Sequence, residues 1–243
     1  MSEILTDAWR TLVPDRTSRH GPLPPIMLAL TVVTGFVDAY SYLMLGHVFV
    51  ANMTGNVVFC GFAIAGSAGF SLVASLVALA AFAGGAGFGG RLSRSRREHR
   101  GRLLHAALLV QTTLMLAAYL LGEFGPATDR PAARYPLIVL LGLTMGVQNA
   151  TARVLAVPDL TTTVLTMTIT GTSADSRVLG GPGSKAGRRF LSIAAMFLGA
   201  LLGALAVRHG HPTLSLLGAL VLLAAAAAVT FRTTHSTAEW TKP

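Results

Sequence analysis

Long apolar runs with almost no charge dominate this chain and limit what it can fold into. A helix of about 20 apolar residues spans the hydrocarbon layer of a bilayer, and five segments meet that requirement. They are residues 26–46, 71–90, 103–121, 190–207 and 213–231. A sixth, residues 136–156, is apolar at first and becomes polar through Gln148, Asn149 and Arg153. These runs predict an all-α polytopic membrane protein.

The composition agrees with a membrane protein. Only 12% of the 243 residues are charged and 52% are hydrophobic, whereas a soluble domain has about 25% charged residues. The mean hydropathy is +0.61. The net charge of +9 could indicate nucleic-acid binding, but the arginines cluster between apolar segments, where membrane topology also places them. We therefore predict a lipid bilayer as the partner and no nucleic acid.

Two weaker apolar stretches, residues 48–66 and 160–175, decide the number of crossings. If each enters and leaves on one side, six spans cross the membrane, and the connections on the N-terminal side hold 16 Lys and Arg against 3. If both cross, there are eight spans and the split is 11 against 8. Because cytoplasmic connections collect Lys and Arg, we predict six spans plus two broken or re-entrant helices, with eight crossings as the alternative. Residues 1–25 and 232–243 would be a cytoplasmic arm and tail around one membrane domain, residues 26–231.

Short similarities in a common order indicate an internal duplication, with halves at about residues 26–121 and 136–231. The matching segments are Gly35-Phe-Val-Asp38-Ala39 with Gly146-Val-Gln148-Asn149-Ala150, Met53-Thr54-Gly55-Asn56 with Leu165-Thr166-Met167-Thr168, and Gly85-x-x-x-Gly89 with Gly199-x-x-x-Gly203. With three spans per half, the second copy would be inverted in the membrane, as in many transporters and channels. The two glycine pairs predict close helix packing.

Asp38 is the only acidic residue within an apolar span. A charged side chain at the bilayer centre costs roughly 2.5–3.5 kcal/mol on insertion scales, so it should face protein, water or a counter-charge. Asp38 could handle a proton or cation or bind a substrate. It could also be a structural carboxylate that accepts hydrogen bonds from hydroxyls or helix-end amides. Arg153 is a candidate counter-charge.

The run from Asn52 to Asn56 places amides, a hydroxyl and a glycine inside an apolar stretch. Non-helical backbone at membrane depth is tolerated only where it is buried in protein or lines a water-filled cavity. We therefore predict a helix break here, and a second one in the threonine-rich stretch that contains Thr166 and Thr168. The alternative is hydrogen bonding between intact helices, worth about 0.6–2 kcal/mol for each bond.

The sequence contains no arrangement typical of an enzyme, a metal centre or a cofactor site. It has no Ser-His-Asp set, no paired carboxylates and no metal-ligand spacing. The glycine-rich run at residues 84–90 ends an apolar helix instead of following a strand, so it does not fit a nucleotide-binding loop. Cys60 lies in an apolar run and is interpreted as a small buried residue. We predict neither enzymatic activity nor a cofactor.

The ordered motifs at residues 35–39, 49–56 and 146–150 resemble the YoaK family, small bacterial membrane proteins described as a domain of unknown function. The resemblance covers about residues 26–231. One departure is Met167, which follows Thr166 where the family usually has glycine. The resemblance implies a multi-span protein of the bacterial inner (plasma) membrane and names no solute.

The leading functional hypothesis is a small secondary transporter or permease for a small solute. The predicted substrate-binding residues are Asp38, Asn52, Thr54, Asn56, Gln148, Asn149, Thr166 and Thr168. Coupling to a proton or cation and assembly into a homo-oligomer are left open. The competing hypothesis is a non-transporting membrane scaffold or assembly partner, in which the polar residues only hold helices together. A wet cavity lined by Asp38 and Asn56 would favour transport, and complete burial with satisfied hydrogen bonds would favour the scaffold.

Overall fold

The computed structural model describes residues 3–13, 18–96, 98–125, 131–160, 162–163, 165–174 and 186–242. Six helices in this part of the chain are long and apolar enough to cross a membrane. They are α2 (Leu23–Met44), α4 (Leu72–Ser95), α5 (Arg100–Phe124), α6 (Pro131–Leu155), α8 (Ala186–Arg208) and α9 (Thr213–Phe231). The shorter helices are α1 (Glu3–Leu12), α3 (Met53–Ile64) and α7 (Leu165–Ala174). No strand occurs among the described residues, and the predicted all-α polytopic fold is confirmed.

Several helices begin where the sequence supplies a starting signal. Prolines lie in the first turn of α2, where a missing N–H costs nothing and the fixed φ suits a helix. Ser71 caps α4, because its hydroxyl accepts a hydrogen bond from the Ala74 backbone N–H at 3.2 Å. His99 does the same for α5 through the Arg102 N–H. These caps satisfy N–H groups that a helix start leaves without partners.

One end of the helix bundle gathers the basic connections. The Arg100 guanidinium donates to the carbonyls of Arg19 and Trp240 at 3.3 and 3.4 Å, and also to the carbonyl of Leu155. The Arg188 backbone N–H donates to Asp7 in α1, which places the start of α8 at this same end. The structure thus brings together the connections that six crossings place on one side. Eight crossings would separate the N-terminal arm from the α4–α5 connection, so that alternative is not supported.

The first predicted break is a segment that enters and leaves at the opposite end of the bundle. After α2 the chain turns at Gly46 and His47, which both have positive φ, and runs back beside α2, where the rings of Phe49 and Tyr42 stack with centroids 5.0 Å apart. Helix α3 then returns outward. His47 Nδ1 donates to the Gly69 carbonyl at 3.1 Å, so the start and the end of this excursion meet. The predicted re-entrant element in the first half is confirmed.

The second predicted break lies between α6 and α7. Helix α6 ends at Leu155 and α7 begins only at Leu165. The backbone of Ala156, Asp159 and Thr162 between them has positive φ, which non-glycine residues rarely adopt. The chain therefore leaves the helical path here. The Asp159 carboxylate forms an ion pair with Arg189 of α8 at 2.8 Å, which ties the turned segment to the next helix.

Each half packs its first helix against the other half. Gly35 of α2 and Gly199 of α8 lie against the backbone of the opposing helix, and Gly85 of α4 and Gly146 of α6 do the same. The close packing predicted from the glycine pairs is confirmed, and it lies within one chain. Helices α5 and α9 pack against each other and against α6 and α2, respectively. The core is therefore built from helices of both halves of the chain.

Candidate functional site

Asp38 lies near the end of α2 that faces the re-entrant segment. It precedes Met44 by six residues, which is about 9 Å along a helix, so it is not at the midpoint of the span. Its Oδ1 accepts hydrogen bonds from the backbone N–H groups of Val50 and Ala51 at 3.3 and 3.0 Å. Part of the structural interpretation is therefore correct, because Asp38 satisfies the turned backbone.

The second carboxylate oxygen of Asp38 is available to a ligand. Among the described residues, Oδ2 accepts no hydrogen bond, and the side chain is only partly buried. The proposed counter-charge, Arg153, does not pair with Asp38. It lies instead near the end of α6, beside Asn149 and Val154. One oxygen thus holds the backbone, the other has no hydrogen-bond partner among the described residues, and the residue borders open space.

That open space is a cavity of about 540 Å³, within the usual size range of small-molecule sites. It lies among α2, α3, α8 and the segment around the start of α7. The predicted residues Asp38, Asn52, Thr54 and Thr166 all line it. Residues of both halves therefore meet at one cavity, as the duplication suggested. Among the residues that the structure describes, the lining includes no Lys, Arg or His.

Asn56 has a different role from the one predicted. Its side chain is completely buried. Its Oδ1 accepts from the Phe49 N–H at 3.0 Å, and its Nδ2 donates to the Phe49 carbonyl at 2.6 Å. Asn56 thus supplies the hydrogen bonds that the backbone of the non-helical segment would otherwise lack. It is not among the residues that line the cavity.

Replacing Asn56 by alanine is expected to destabilise the protein. The substitution leaves the N–H and the carbonyl of Phe49 unsatisfied, and a buried polar group without a partner costs about 1–3 kcal/mol. We expect the melting temperature of the purified protein in detergent to fall by several degrees. Asn52→Ala is the matched control, because Asn52 is exposed and its side chain makes no capping hydrogen bond. Equal melting temperatures for the two variants would contradict this role of Asn56.

Three of the predicted binding residues in the second half also lie away from the cavity lining. Gln148 is buried and donates to Thr34 Oγ1 at 2.9 Å and to the Leu30 carbonyl at 3.2 Å, so it joins α6 to α2. Thr168 is also buried and is not among the residues that line the cavity. Asn149 accepts a hydrogen bond from Thr163 Oγ1 at 2.6 Å. These three residues lie behind or beside the cavity.

Thr163 lines the cavity but was not among the predicted binding residues. It belongs to the threonine-rich stretch, of which the predicted set includes only Thr166 and Thr168. The predicted repeat offset of 111 residues makes Thr163 the sequence counterpart of Asn52, and that correspondence could have identified it.

Comparison with known proteins places this architecture in a family. A family model described as a protein of unknown function, DUF1275, matches residues 26–229. The chain belongs to the DUF1275 family. It is 36% identical, over 146 residues, to the UPF0700 transmembrane protein YoaK of Bacillus subtilis strain 168. The aligned region is 59% of this chain and 63% of that protein, so it spans less than two thirds of the relative. No solved structure matches the chain.

The resemblance to the YoaK family is thereby confirmed, and its relative is also named as a transmembrane protein. The DUF1275 match includes both helix breaks and every residue that lines the cavity. The candidate site is thus part of the family's own domain, and the N-terminal arm and C-terminal tail lie outside it.

Proposed function

We propose that this DUF1275 protein is a small-solute transporter of the bacterial inner membrane, with the cavity beside Asp38 as its solute site. The observation that carries this proposal is that Asp38 lines a cavity shared by both halves, while its Oδ2 has no hydrogen-bond partner among the described residues. An intramembrane carboxylate is costly, and such groups usually mark a pathway for a substrate or ion. The basic end of the bundle would face the cytoplasm, as the distribution of arginines favours.

The lining indicates which solutes fit. In the described part of the chain it offers the carboxylate of Asp38, the amide of Asn52, three threonine hydroxyls and no cationic side chain. The rings of Phe49 and Phe59 also line it, with centroids 5.7 Å apart, and aromatic faces attract cations. A small solute with a positive charge or several hydrogen-bond donors is favoured over an anion.

The arrangement of the halves supports the same function. Asp38 and Asn149 each lie six residues before the end of the first helix of their half, and the short helices begin at Met53 and Leu165. The two breaks lie toward opposite ends of the bundle, which is consistent with the inverted repeat that we propose. Transporters built from inverted repeats bind their substrates at the interface between the repeats, beside broken helices.

A scaffold remains the competing function because of two specific observations. Asn56 and Gln148 are buried and hydrogen bonded, as helix-joining residues should be. A scaffold does not require the free carboxylate oxygen of Asp38 or the cavity beside it, and for this reason we favour transport.

Uptake by the purified full-length protein in liposomes tests the proposal. The probes are radiolabelled methylammonium, guanidinium and choline, with acetate as an anionic control. We expect saturable uptake of at least one cation above the level of protein-free liposomes, and no uptake of acetate. Uptake of acetate alone would contradict the assignment of a cationic solute. If no probe is taken up and none binds, the scaffold function is favoured.

A further inference from the structure

A second cavity, of about 790 Å³, lies between α4 and α6 near their C-terminal ends. Its lining is mainly apolar and includes Phe82, Ala86 and Asn149. Arg94 and Arg153 lie at its edge, and both side chains are exposed. The proposed transport through the Asp38 cavity does not by itself require this space.

The second cavity is built from the repeat counterparts of the residues that line the first. Asp38 corresponds to Asn149 at the offset of 111 residues. Met196 and Ala200 correspond to Phe82 and Ala86 at the offset of 114 that relates the glycine pairs. Each cavity thus uses the end of one half's first helix and the middle of the other half's second long helix. A chance pair of surface pockets would not reproduce these three correspondences.

The two cavities extend toward opposite ends of the bundle. The Asp38 cavity reaches Phe49 and Phe59, whose rings form one aromatic cluster with Tyr42 beside the His47 turn. The second cavity reaches Arg94 and Arg153, in the last turns of α4 and α6, at the end where Arg100 joins the basic connections. Each cavity thus reaches residues near a different end of the bundle.

Thr163 lines both cavities, so the two spaces meet at this residue, here called the partition. Its hydroxyl donates to Asn149 Oδ1 at 2.6 Å, and Asn149 Nδ2 donates to the Met145 carbonyl at 3.0 Å. The neighbouring Thr162 has φ of +66°, and its buried Oγ1 has no hydrogen-bond partner among the described residues. Such strained backbone is typical of segments that change conformation.

We propose that the α4–α6 cavity is the opposite-facing vestibule of the solute pathway, and that the hydrogen bond from Thr163 to Asn149 closes it off from the Asp38 cavity. This inference rests on the proposed transport function and adds the route. A cation bound at Asp38 leaves past Thr163 into a vestibule whose described lining residues include no acidic side chain. It therefore binds weakly there and is released at the arginine-rich end.

Cysteine accessibility tests the two vestibules without using a solute. In a Cys60→Ala background, Ala200→Cys and Ala86→Cys each place one thiol at corresponding positions of the two cavities. A membrane-impermeant methanethiosulfonate reagent is applied separately to each side of the reconstituted membrane. We expect the thiol at position 86 to react from the arginine-rich side and the thiol at position 200 from the opposite side. Reaction of both from one side, or of neither, would overturn the proposal.

The partition is tested by adding Thr163→Ala to the Ala200→Cys variant. Removing the hydrogen bond and the side chain should raise the reaction rate from the arginine-rich side about tenfold, since one net hydrogen bond is lost. Thr113→Ala is the matched control, because Thr113 is exposed on α5 and its hydroxyl bonds only to its own helix. An unchanged rate in the Thr163→Ala variant would overturn its role. Correct sidedness without any cation uptake would support the two vestibules and overturn the transport proposal instead.

Discussion

Asp38→Asn is expected to abolish cation uptake while leaving the protein folded. An asparagine oxygen can still accept the N–H groups of Val50 and Ala51, which now bond to Oδ1, so the turned backbone keeps its partners. The free Oδ2, however, becomes an amide that carries hydrogens and no charge. Loss of a hydrogen bond to a charged group corresponds to roughly a 10–100-fold loss of affinity, before any effect on coupling.

The measurement is initial uptake of labelled solute into liposomes, together with the melting temperature in detergent. Glu123→Gln is the matched control, because it makes the same chemical change at an exposed position near the end of α5 and should leave uptake unchanged. Full uptake by Asp38→Asn would eliminate the carboxylate from the mechanism. A large fall in melting temperature would show that Asp38 serves mainly to hold the turned backbone.

The second large effect is expected from Gly85→Ala, which should strongly impair folding. A Cβ atom at this position would lie 2.8 Å from Leu143 Cα and 2.9 Å from its carbonyl carbon. Both are backbone atoms of α6, so relief requires the two helices to move apart. Overpacking typically costs about 1–3 kcal/mol, and we expect the upper part of that range because no flexible side chain can yield.

Gly87→Ala provides a control in the same helix. No atom lies within 4 Å of a Cβ added at Gly87, and replacing a helical glycine by alanine usually gains about 0.5–1 kcal/mol. The two variants should therefore shift the melting temperature in opposite directions, and Gly85→Ala should yield less monodisperse protein in size-exclusion chromatography. Equal melting temperatures would show that α4 and α6 are not held as closely as the structure indicates.

The sequence predicted the spans, and half of the predicted binding residues line the candidate cavity, because polar groups are costly in a membrane. Asp38, Asn52, Thr54 and Thr166 were identifiable since each interrupts an apolar run, and all four line one cavity. Asn56 and Gln148 gave the same signal but are buried and hydrogen bonded. The cost of a polar side chain in lipid can be offset either by a wet cavity or by a protein partner, and a single sequence does not distinguish these solutions.

The second cavity and the partition could not be predicted, because they depend on which helices become neighbours. Thr163 is one of several threonines in its stretch, and only the fold places it against Asn149.

The role of Arg100 could also be predicted only in part. Its charge fits the rule that cytoplasmic connections collect Lys and Arg. Its hydrogen bonds to the carbonyls of Arg19, Leu155 and Trp240 also join segments that are distant in the sequence.

The first helix of each half packs against a helix of the other half, and this arrangement affects how the chain can be assembled. Gly35 and Gly199 come from different halves, as do Gly85 and Gly146, so neither half contains both sides of its own tightest interface. If the chain were cut between α5 and α6, each fragment would expose to lipid the glycine surface that packs against the other half. Neither fragment could complete its fold until the other arrived, which makes co-insertion of both halves a condition of stability.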